Sequence, residues 1–178
     1  MSRQDGSLHL VFMGVSGTGK STIGRRVADA LDCRFAEGDD FHPRANIEKM
    51  ASGRPLTDSD RWPWLELLAE WTAEQREAGE STVVACSALR RGYRRILRRP
   101  APDTFFVHLT GYPGLLLERL QSRGGHFMPS SLLESQLDTL EPLAADEQGI
   151  TVDVAAPVEE CVSQVLDAVR ARRGTGEG

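Results

Sequence analysis

The sequence predicts an α/β fold in which one parallel sheet has helices on both faces. Short runs typical of buried strands alternate with segments whose apolar residues recur at helical spacing. A glycine-rich turn joins the first run to the first helical segment. No internal repeat or linker interrupts the alternation, and 178 residues is an ordinary length for one domain. We therefore predict a single domain over residues 1–178.

Five short segments are predicted as strands because they are rich in apolar and β-branched residues and are bounded by turn residues. These segments are 8–13, 34–37, 81–86, 104–109 and 150–154. Because helical segments separate them, the strands are expected to run parallel, with right-handed crossovers.

The helical segments are predicted from apolar stripes and from proline at their first turns. The first carries Ile23, Val27 and Leu31, and the second runs from Pro43 to about Met50. Two later helices are indicated by apolar stripes, one of Trp64, Leu68 and Trp71 and one of Leu116, Leu117 and Leu120. Residues 90–99 are predicted to form a basic helix, and an S-x-x-E capping pattern at Ser131 and Glu134 begins another. The last helix runs from Pro157 to Val169. Trp62, Trp64 and Trp71 are expected in the core, and the tail from Arg172 is expected to fray.

Residues 41–79 form a stretch that is long for a single crossover. Residues 123–142 form another. In α/β domains such insertions tend to lie over the carboxyl ends of the strands, where ligands bind. We expect the insertion at about 41–79 to cover a bound molecule.

Composition excludes several classes of protein. Lys+Arg number 21 against 26 Asp+Glu, a net charge of −5, so no excess positive charge is available for a nucleic-acid partner. The apolar run at residues 8–15 is too short to span a membrane, and no signal peptide is evident. Cys33, Cys86 and Cys161 lack metal-like or redox-like spacing. We expect a cytoplasmic protein with reduced thiols and no membrane partner.

Lysine is rare in this chain. Only Lys20 and Lys49 are lysines among the 21 basic residues. Arginine can replace lysine wherever only a positive charge is needed, but guanidinium is larger, planar and differently hydrated. The two positions are therefore candidates for sites that need a compact ammonium group.

Residues 14–21 match the phosphate-binding pattern G-x-x-x-x-G-K-[ST] in full, between a predicted strand and a predicted helix. In this pattern backbone N–H groups and the helix N-terminus face phosphate oxygens, the lysine reaches the β- and γ-phosphates, and the hydroxyl binds Mg²⁺. The pattern predicts ATP and Mg²⁺ as cofactors, Lys20 as a catalytic residue and Ser21 as the metal ligand. The predicted nucleotide contacts are Gly14, Val15, Ser16, Gly17, Thr18, Gly19, Lys20, Ser21 and Thr22.

GTPases, motor ATPases and small-molecule kinases share this loop, but the first two carry further motifs. No Asn-Lys-x-Asp motif occurs here. Residues 146–149 match D-x-x-G by letters only, because they precede the last predicted strand. The strands that end at Cys86 and Leu109 are not followed by a Walker-B acid. A small kinase is indicated, in which other groups or waters complete the metal shell.

A second cluster follows the second predicted strand: Glu37, Asp39, Asp40 and His42. A carboxylate at this place could accept a hydroxyl proton during phosphoryl transfer or hold that hydroxyl in line. The alternative is a solvated acidic turn in which Asp40 or His42 caps the next helix.

With the stretch that follows, from Asn46 to Leu65, the sequence resembles the gluconokinases, P-loop small-molecule kinases related to shikimate kinase. The supporting stretches are 14–21, 37–65, 86–94, 126–128, 132–136 and 140–147, within about 8–169. The resemblance implies ATP-dependent phosphorylation of D-gluconate at its 6-hydroxyl by a homodimer. It also implies a three-layer, nucleoside-monophosphate-kinase-like fold with sheet order 2-3-1-4-5 and a lid at about 123–130. A kinase of the same group for another small polar acceptor, such as shikimate, and a non-catalytic ATP-sensing domain remain as alternatives.

By this resemblance Asp39 holds or deprotonates the acceptor hydroxyl, and Glu37 stands where shikimate kinases have the first acid of an Asp-x-Asp pattern. Arg123 would supply charge to the transferred phosphoryl group and Arg119 would lie near adenine, although this stretch also fits a basic helix end with a glycine stop. Gluconate is a polyol with one carboxylate, so it needs a cation and several hydrogen-bonding groups. The expected substrate contacts are Asp39, His42, Asn46, Lys49, Arg54, Arg61, Arg90 and His126, with Arg94 a further candidate. Arg54 and Arg61 could instead form surface ion pairs with Asp58 and Asp60.

Overall fold

A parallel β-sheet forms the centre of the protein. The computed structural model describes residues 6–122 and 130–174, and within them the sheet has five strands in the order β2-β3-β1-β4-β5. The strands are β1 (His9–Met13), β2 (Arg34–Glu37), β3 (Thr82–Ala85), β4 (Phe105–Thr110) and β5 (Gly149–Asp153), and all neighbours pair in parallel. The predicted fold class and strand order are confirmed.

The helices lie between the strands, as the alternation predicted. They are α1 (Lys20–Leu31), α2 (Arg44–Ala51), α3 (Asp58–Glu77), α4 (Arg91–Arg98), α5 (Pro113–Ser122), α6 (Ser130–Thr139) and α7 (Val158–Gly174), with a short 3₁₀ turn at Gly38–Phe41. Thr57 begins α3 with a capping box, since its hydroxyl accepts from the Asp60 N–H and the Asp60 carboxylate accepts from the Thr57 N–H.

Three predicted helix boundaries were wrong. Helix α4 begins after Arg90, and α6 begins at Ser130 and so includes Ser131, which was expected before it. Helix α7 continues to Gly174 instead of fraying from Arg172. Its end is held because the Arg172 guanidinium donates to the Asp103 carbonyl and lies over the Phe105 ring, 5.1 Å from its centroid.

Side chains of β1 alternate between the two faces of the sheet, as strand geometry requires. Leu10 and Phe12 belong to a core cluster with α1 and α7. Val11 and Met13 belong to a second cluster with α3 and α4. The protein therefore has three layers, and α3 is a crossover helix of the sheet as well as part of the predicted insertion.

The expectation for the tryptophans was only partly right. Trp64 is 4% exposed and packs in the second cluster, and Trp71 packs against that cluster half-buried. Trp62 is 38% exposed. It lies two residues before Trp64 in α3, and this spacing places the two side chains on nearly opposite sides of the helix.

A buried ion pair joins α4 to the segment before β5. Arg94 donates to the two carboxylate oxygens of Glu147 at 2.7 and 3.0 Å and to the Ala88 carbonyl at 2.9 Å. The Arg94 and Glu147 side chains are only 1% and 3% exposed. Burial favours the neutral form of Glu147, but its hydrogen bonds with Arg94 and the Ala144 N–H hold its pKa below the usual value. Arg94 is thus a structural residue, and the candidate role at the substrate is not supported by its contacts.

Candidate active site

The phosphate-binding loop lies between the carboxyl end of β1 and the first turn of α1. The Gly14 N–H donates to the Ser87 carbonyl at 3.1 Å, which ties the loop to the chain after β3. Gly14 has φ 142°, and a Cβ there would lie 2.5 Å from the Leu109 carbonyl oxygen. Because the loop runs this close to β4, only glycine fits at its first position.

The two residues of the loop that are predicted to take part in the chemistry lie where α1 begins. Lys20 is the first residue of α1, and its ammonium group donates to the Val15 carbonyl at 3.0 Å. The Ser21 hydroxyl donates to a carboxylate oxygen of Glu37 at the end of β2. The second contact joins the phosphate-binding loop directly to the strand that precedes the acidic turn.

A cavity of about 300 Å³ lies against one side of the loop. Its lining includes Gly17, Thr18, Gly19, Thr22, Arg119, Val154 and Cys161. The Arg119 guanidinium donates to the Val154 carbonyl at 2.6 Å, which fixes its position on the wall. A concave site of this size, mainly apolar with a few polar groups, is typical of small-molecule binding. Thr22 and Arg119, both predicted as nucleotide contacts, are brought together here with the loop.

The acidic turn is held against the end of β3 by two contacts of Gly38. A Cβ at Gly38 would lie 2.5 Å from the Ala85 carbonyl oxygen, so the turn approaches β3 closely. The Gly38 carbonyl accepts a hydrogen bond from the indole N–H of Trp64 at 2.7 Å. Asp39, the next residue, is exposed at the carboxyl end of the sheet.

The charged groups of the loop and of the turn converge at the end of β3. Burial raises the pKa of Cys86, which directly follows β3, to about 12. The charges of Asp39, Lys20 and Glu37 act on the same thiol. The predicted acid and the predicted lysine are therefore both near enough to Cys86 to influence it.

His42 is stacked on Trp64, with ring centroids 4.1 Å apart and an interplanar angle of 17°. The side-chain amide nitrogen of Asn46 donates to the Asp60 carbonyl at 2.8 Å and lies 3.3 Å from His42 Nδ1. Since that nitrogen is a donor, Nδ1 accepts and the ring proton is on Nε2. Burial lowers the pKa of His42, while Asp39 opposes the shift and Arg61 adds to it. His42 is therefore neutral at pH 7, with an N–H donor at Nε2.

Lys49 and Arg54 make other contacts. The Lys49 ammonium lies 2.6 Å from an Asp60 carboxylate oxygen, in the capping box that begins α3. The hydrogen bond from Lys49 is the main reason that the pKa of Asp60 falls to about 2. Arg54 is exposed and donates to the Ser52 hydroxyl at 3.0 Å. Within the described part of the chain neither residue contacts Asp39 or His42, and the surface pairing expected for Arg54 is not formed.

Arg61 and Arg90 meet at the carboxylate of Asp58. The Arg61 guanidinium lies 3.9 Å from one oxygen of Asp58 and donates to the Leu56 carbonyl at 2.9 Å. Arg90 lies 3.6 Å from the other oxygen, and the Tyr93 hydroxyl also donates to Asp58. The ion pair between Arg61 and Asp58 that was considered as an alternative is therefore present. It is part of a network in which the Asp58 carboxylate also pairs with Arg90. Sequence reasoning missed Tyr93, because nothing local links it to residues 58–61.

One contact to the loop had no sequence signal. The Ser16 N–H donates to the side-chain oxygen of Gln136 in α6 at 2.7 Å. The two residues are 120 positions apart, so no local pattern could pair them. Arg123 and His126 lie outside the described residues, as does the whole of the predicted lid (about 123–130) except Ser130.

Residues 6–122 and 130–174 contain no group of three or more His, Cys, Asp or Glu side chains suited to hold a metal ion. None of the helices in those ranges has the length and apolar character needed to cross a bilayer.

A parallel sheet in this order, with a phosphate-binding loop after β1 and a carboxylate turn after β2, defines a P-loop kinase. A family model described as an AAA domain matches residues 10–143. A gluconokinase of Gluconobacter oxydans is 54% identical over 143 residues, which is 80% of each chain. The crystal structure of a gluconokinase from Sinorhizobium meliloti superimposes with a TM-score of 0.84 at 47% identity, over 95% of this chain and 94% of that one. An unliganded sugar kinase from Janibacter sp. gives a TM-score of 0.87 at 49% identity, over 92% and 95%. The chain belongs to the gluconokinase family.

Proposed function

We propose that the protein transfers the γ-phosphoryl group of ATP to the 6-hydroxyl of D-gluconate, giving 6-phospho-D-gluconate. The observation that carries the proposal is the hydrogen bond between Ser21 and Glu37. It joins the loop that would bind the phosphates to the turn that carries Asp39, so donor and acceptor sites adjoin. The names of the relatives above support the choice of gluconate.

The nucleotide half of the reaction needs phosphate contacts and a place for the base. Backbone N–H groups of residues 17–21 and the Lys20 ammonium would bind the phosphates. The cavity with Thr22 and Arg119 beside the loop is suited to hold the base and ribose. Positioning of this kind is the main contribution of a protein to phosphoryl transfer, because the transferred group needs little covalent help.

Mg²⁺ prefers oxygen ligands, and the Ser21 hydroxyl and the Glu37 carboxylate offer them side by side. The residues present therefore fit the ion: Ser21 would be a ligand, and Glu37 would hold a water bound to the ion. When bound, Mg²⁺ would neutralise charge that develops on the phosphate oxygens.

The acceptor half lies between Asp39 and the start of α3. We assign Asp39 to the 6-hydroxyl, as the group that orients it and accepts its proton. Neutral His42 would donate from Nε2 to a hydroxyl oxygen of the sugar acid, since its Nδ1 already accepts from Asn46. The two guanidinium groups at Asp58, those of Arg61 and Arg90, are our choice for the gluconate carboxylate.

A coupled assay of ADP release over a panel of gluconate, other sugar acids, shikimate and nucleoside monophosphates tests the proposal. We expect gluconate to be the best acceptor, and Lys20→Ala to abolish turnover. Asp39→Asn should reduce kcat by about a hundredfold or more, as expected for loss of a general base. Asp40→Asn is a matched control, because Asp40 is an exposed acid in the same turn. Absence of gluconate-dependent turnover, or equal effects of the two substitutions, would contradict the assignment.

We further propose that Arg123 and His126 reach the transferred phosphoryl group and the acceptor, respectively, and that the protein is a cytoplasmic homodimer without nucleic-acid or membrane partners. The three free cysteines, two of them buried, are compatible with a reducing compartment. Exposed apolar side chains on α2 and α3, including Ile47, Met50 and Leu67, are candidates for a subunit contact. Sedimentation analysis of the protein and of Leu67→Lys measures the oligomeric state.

A further inference from the structure

The side chain of Gln136 reaches the phosphate-binding loop from a helix outside the loop motif. Its oxygen accepts the Ser16 N–H at 2.7 Å. Helix α6 is seated independently of this bond, because Leu133 is 1% exposed and belongs to the same core cluster as Leu116 and Leu120 of α5. Gln136 is therefore presented to the loop by a packed helix.

The hydrogen bond fixes which way the amide of Gln136 points. A backbone N–H is only a donor, so the atom that faces Ser16 must be the carbonyl oxygen of the side chain. The NH₂ group then lies on the other branch of the amide, with two hydrogens to donate. Within residues 6–122 and 130–174, the bond to Ser16 is the hydrogen bond that the Gln136 side chain makes, so its NH₂ group has no acceptor there.

Ser16 lies at the end of the loop that is remote from the base. The cavity assigned to base and ribose is lined by Gly17, Thr18, Gly19 and Thr22, and Ser16 is not part of its wall. Ser16 instead follows the loop segment that Gly14 ties to the Ser87 carbonyl, and the acidic turn packs beside the same stretch of chain, since Gly38 lies against Ala85 and Cys86. An amide held at Ser16 is thus at the terminal-phosphate end of a nucleotide in the loop.

We propose that Gln136 is a further phosphate contact, which donates from its NH₂ group to an oxygen of the transferred phosphoryl group while its carbonyl stays on the Ser16 N–H. The inference rests on the nucleotide half of the proposed function. The NH₂ group of Gln136 would then act together with the backbone N–H groups and the Lys20 ammonium of the loop. It would be a neutral donor at the terminal phosphate, where the negative charge of the nucleotide is greatest.

Gln136→Glu distinguishes a phosphate contact from a purely structural tie. The glutamate keeps an oxygen that accepts from Ser16, so the seating of α6 is preserved. It replaces the NH₂ donors by a negatively charged oxygen that faces the phosphates. Gln136→Leu removes both functions. Ser135→Glu is the matched control, because it adds the same charge at an exposed neighbouring position of α6.

Calorimetric titration of each folded variant, with Mg²⁺ present and gluconate absent, measures Kd for ADP and for an ATP analogue with an imido bridge between the β- and γ-phosphates. We expect Gln136→Glu to raise Kd for the analogue about tenfold or more, through loss of a charge-assisted hydrogen bond and like-charge repulsion, and to change Kd for ADP less than about twofold. Ser135→Glu should leave both values unchanged. Melting temperatures within a few degrees of the wild type confirm that each variant is folded.

Two results would overturn the proposal. If Gln136→Glu binds the analogue as tightly as Ser135→Glu does, the amide donors do not contact the terminal phosphate. If Gln136→Glu or Gln136→Leu weakens ADP and the analogue equally, the side chain acts only by shaping the loop. Neither result depends on gluconate, so a failure of the proposed acceptor chemistry would be seen separately in the turnover assay.

Discussion

Removing the carboxylate of the buried Arg94–Glu147 pair should strongly destabilise the protein. Glu147→Leu would leave the Arg94 guanidinium, which is 1% exposed and cannot lose its proton, without its two charged hydrogen bonds. Breaking a buried pair in this way costs about 3–5 kcal/mol. For a chain of this size, each kcal/mol lowers the melting temperature by about 2–4 °C, so we expect a decrease of about 10 °C.

The reverse substitution should behave differently with pH. In Arg94→Met the Glu147 carboxylate loses its cation, and burial then raises its pKa above the value in the unfolded chain. The folded variant takes up a proton that the unfolded chain does not, so the cost of the substitution shrinks as pH falls from 7 to 5. In the same window the cost of Glu147→Leu stays nearly constant, because the lowered pKa of wild-type Glu147 keeps it ionised in the folded protein.

Scanning calorimetry at several pH values between 5 and 7 measures both effects. The double variant Arg94→Met/Glu147→Leu serves as the control and should recover most of the lost stability, since no buried charge is left alone. A cost of Glu147→Leu below about 1 kcal/mol would refute the argument, because that is the range of a solvent-exposed pair. A cost of Arg94→Met that does not change with pH would refute the proton uptake.

Three other substitutions test contacts around the site. Trp64→Phe leaves the Gly38 carbonyl without its indole donor. We therefore expect the free energy of unfolding, measured by chemical denaturation, to fall by about 1–3 kcal/mol, and the KM for the acceptor to rise. Unchanged values would show that the hydrogen bond does not hold the acidic turn. Lys49→Met should move the pKa of Asp60 from about 2 towards its usual value, as followed by carbon NMR of the carboxyl group; continued titration near pH 2 would assign the shift to the helix cap alone. Gly14→Ala places a Cβ 2.5 Å from a carbonyl oxygen at φ 142°, so nucleotide binding measured by calorimetry should be lost, and wild-type affinity would contradict the steric argument.

The sequence predicted the parts of the structure that depend on local chemistry. Strand periodicity indicated the parallel sheet, and residues 14–21 indicated a loop that does join β1 to α1. The order of the strands was implied only by the family resemblance, since alternation alone does not determine which strands are neighbours.

Contacts between distant residues were not predictable in this way. Arg94 was a candidate substrate contact on a basic helix, but its partner is Glu147, which is 53 positions away. Glu147 lies in residues 146–149, whose match to D-x-x-G was interpreted as chance. Lys49 was placed correctly in the insertion, but its link to Asp60 depends on how α2 meets the first turn of α3. Packing determines both pairings, and a single sequence does not contain the packing geometry.

The scarcity of lysine makes the two ammonium groups useful spectroscopic reporters. Lys20 and Lys49 are the only lysines, and one lies in the phosphate-binding loop while the other bridges α2 to the capping box of α3. Reductive methylation with ¹³C-formaldehyde would therefore label two side chains and the amino terminus, giving a spectrum of three resolvable signals. Nucleotide should shift the Lys20 signal, whereas the Lys49 signal should report the pairing of Lys49 with Asp60 at the start of α3, so the loop and the insertion could be followed separately in one sample.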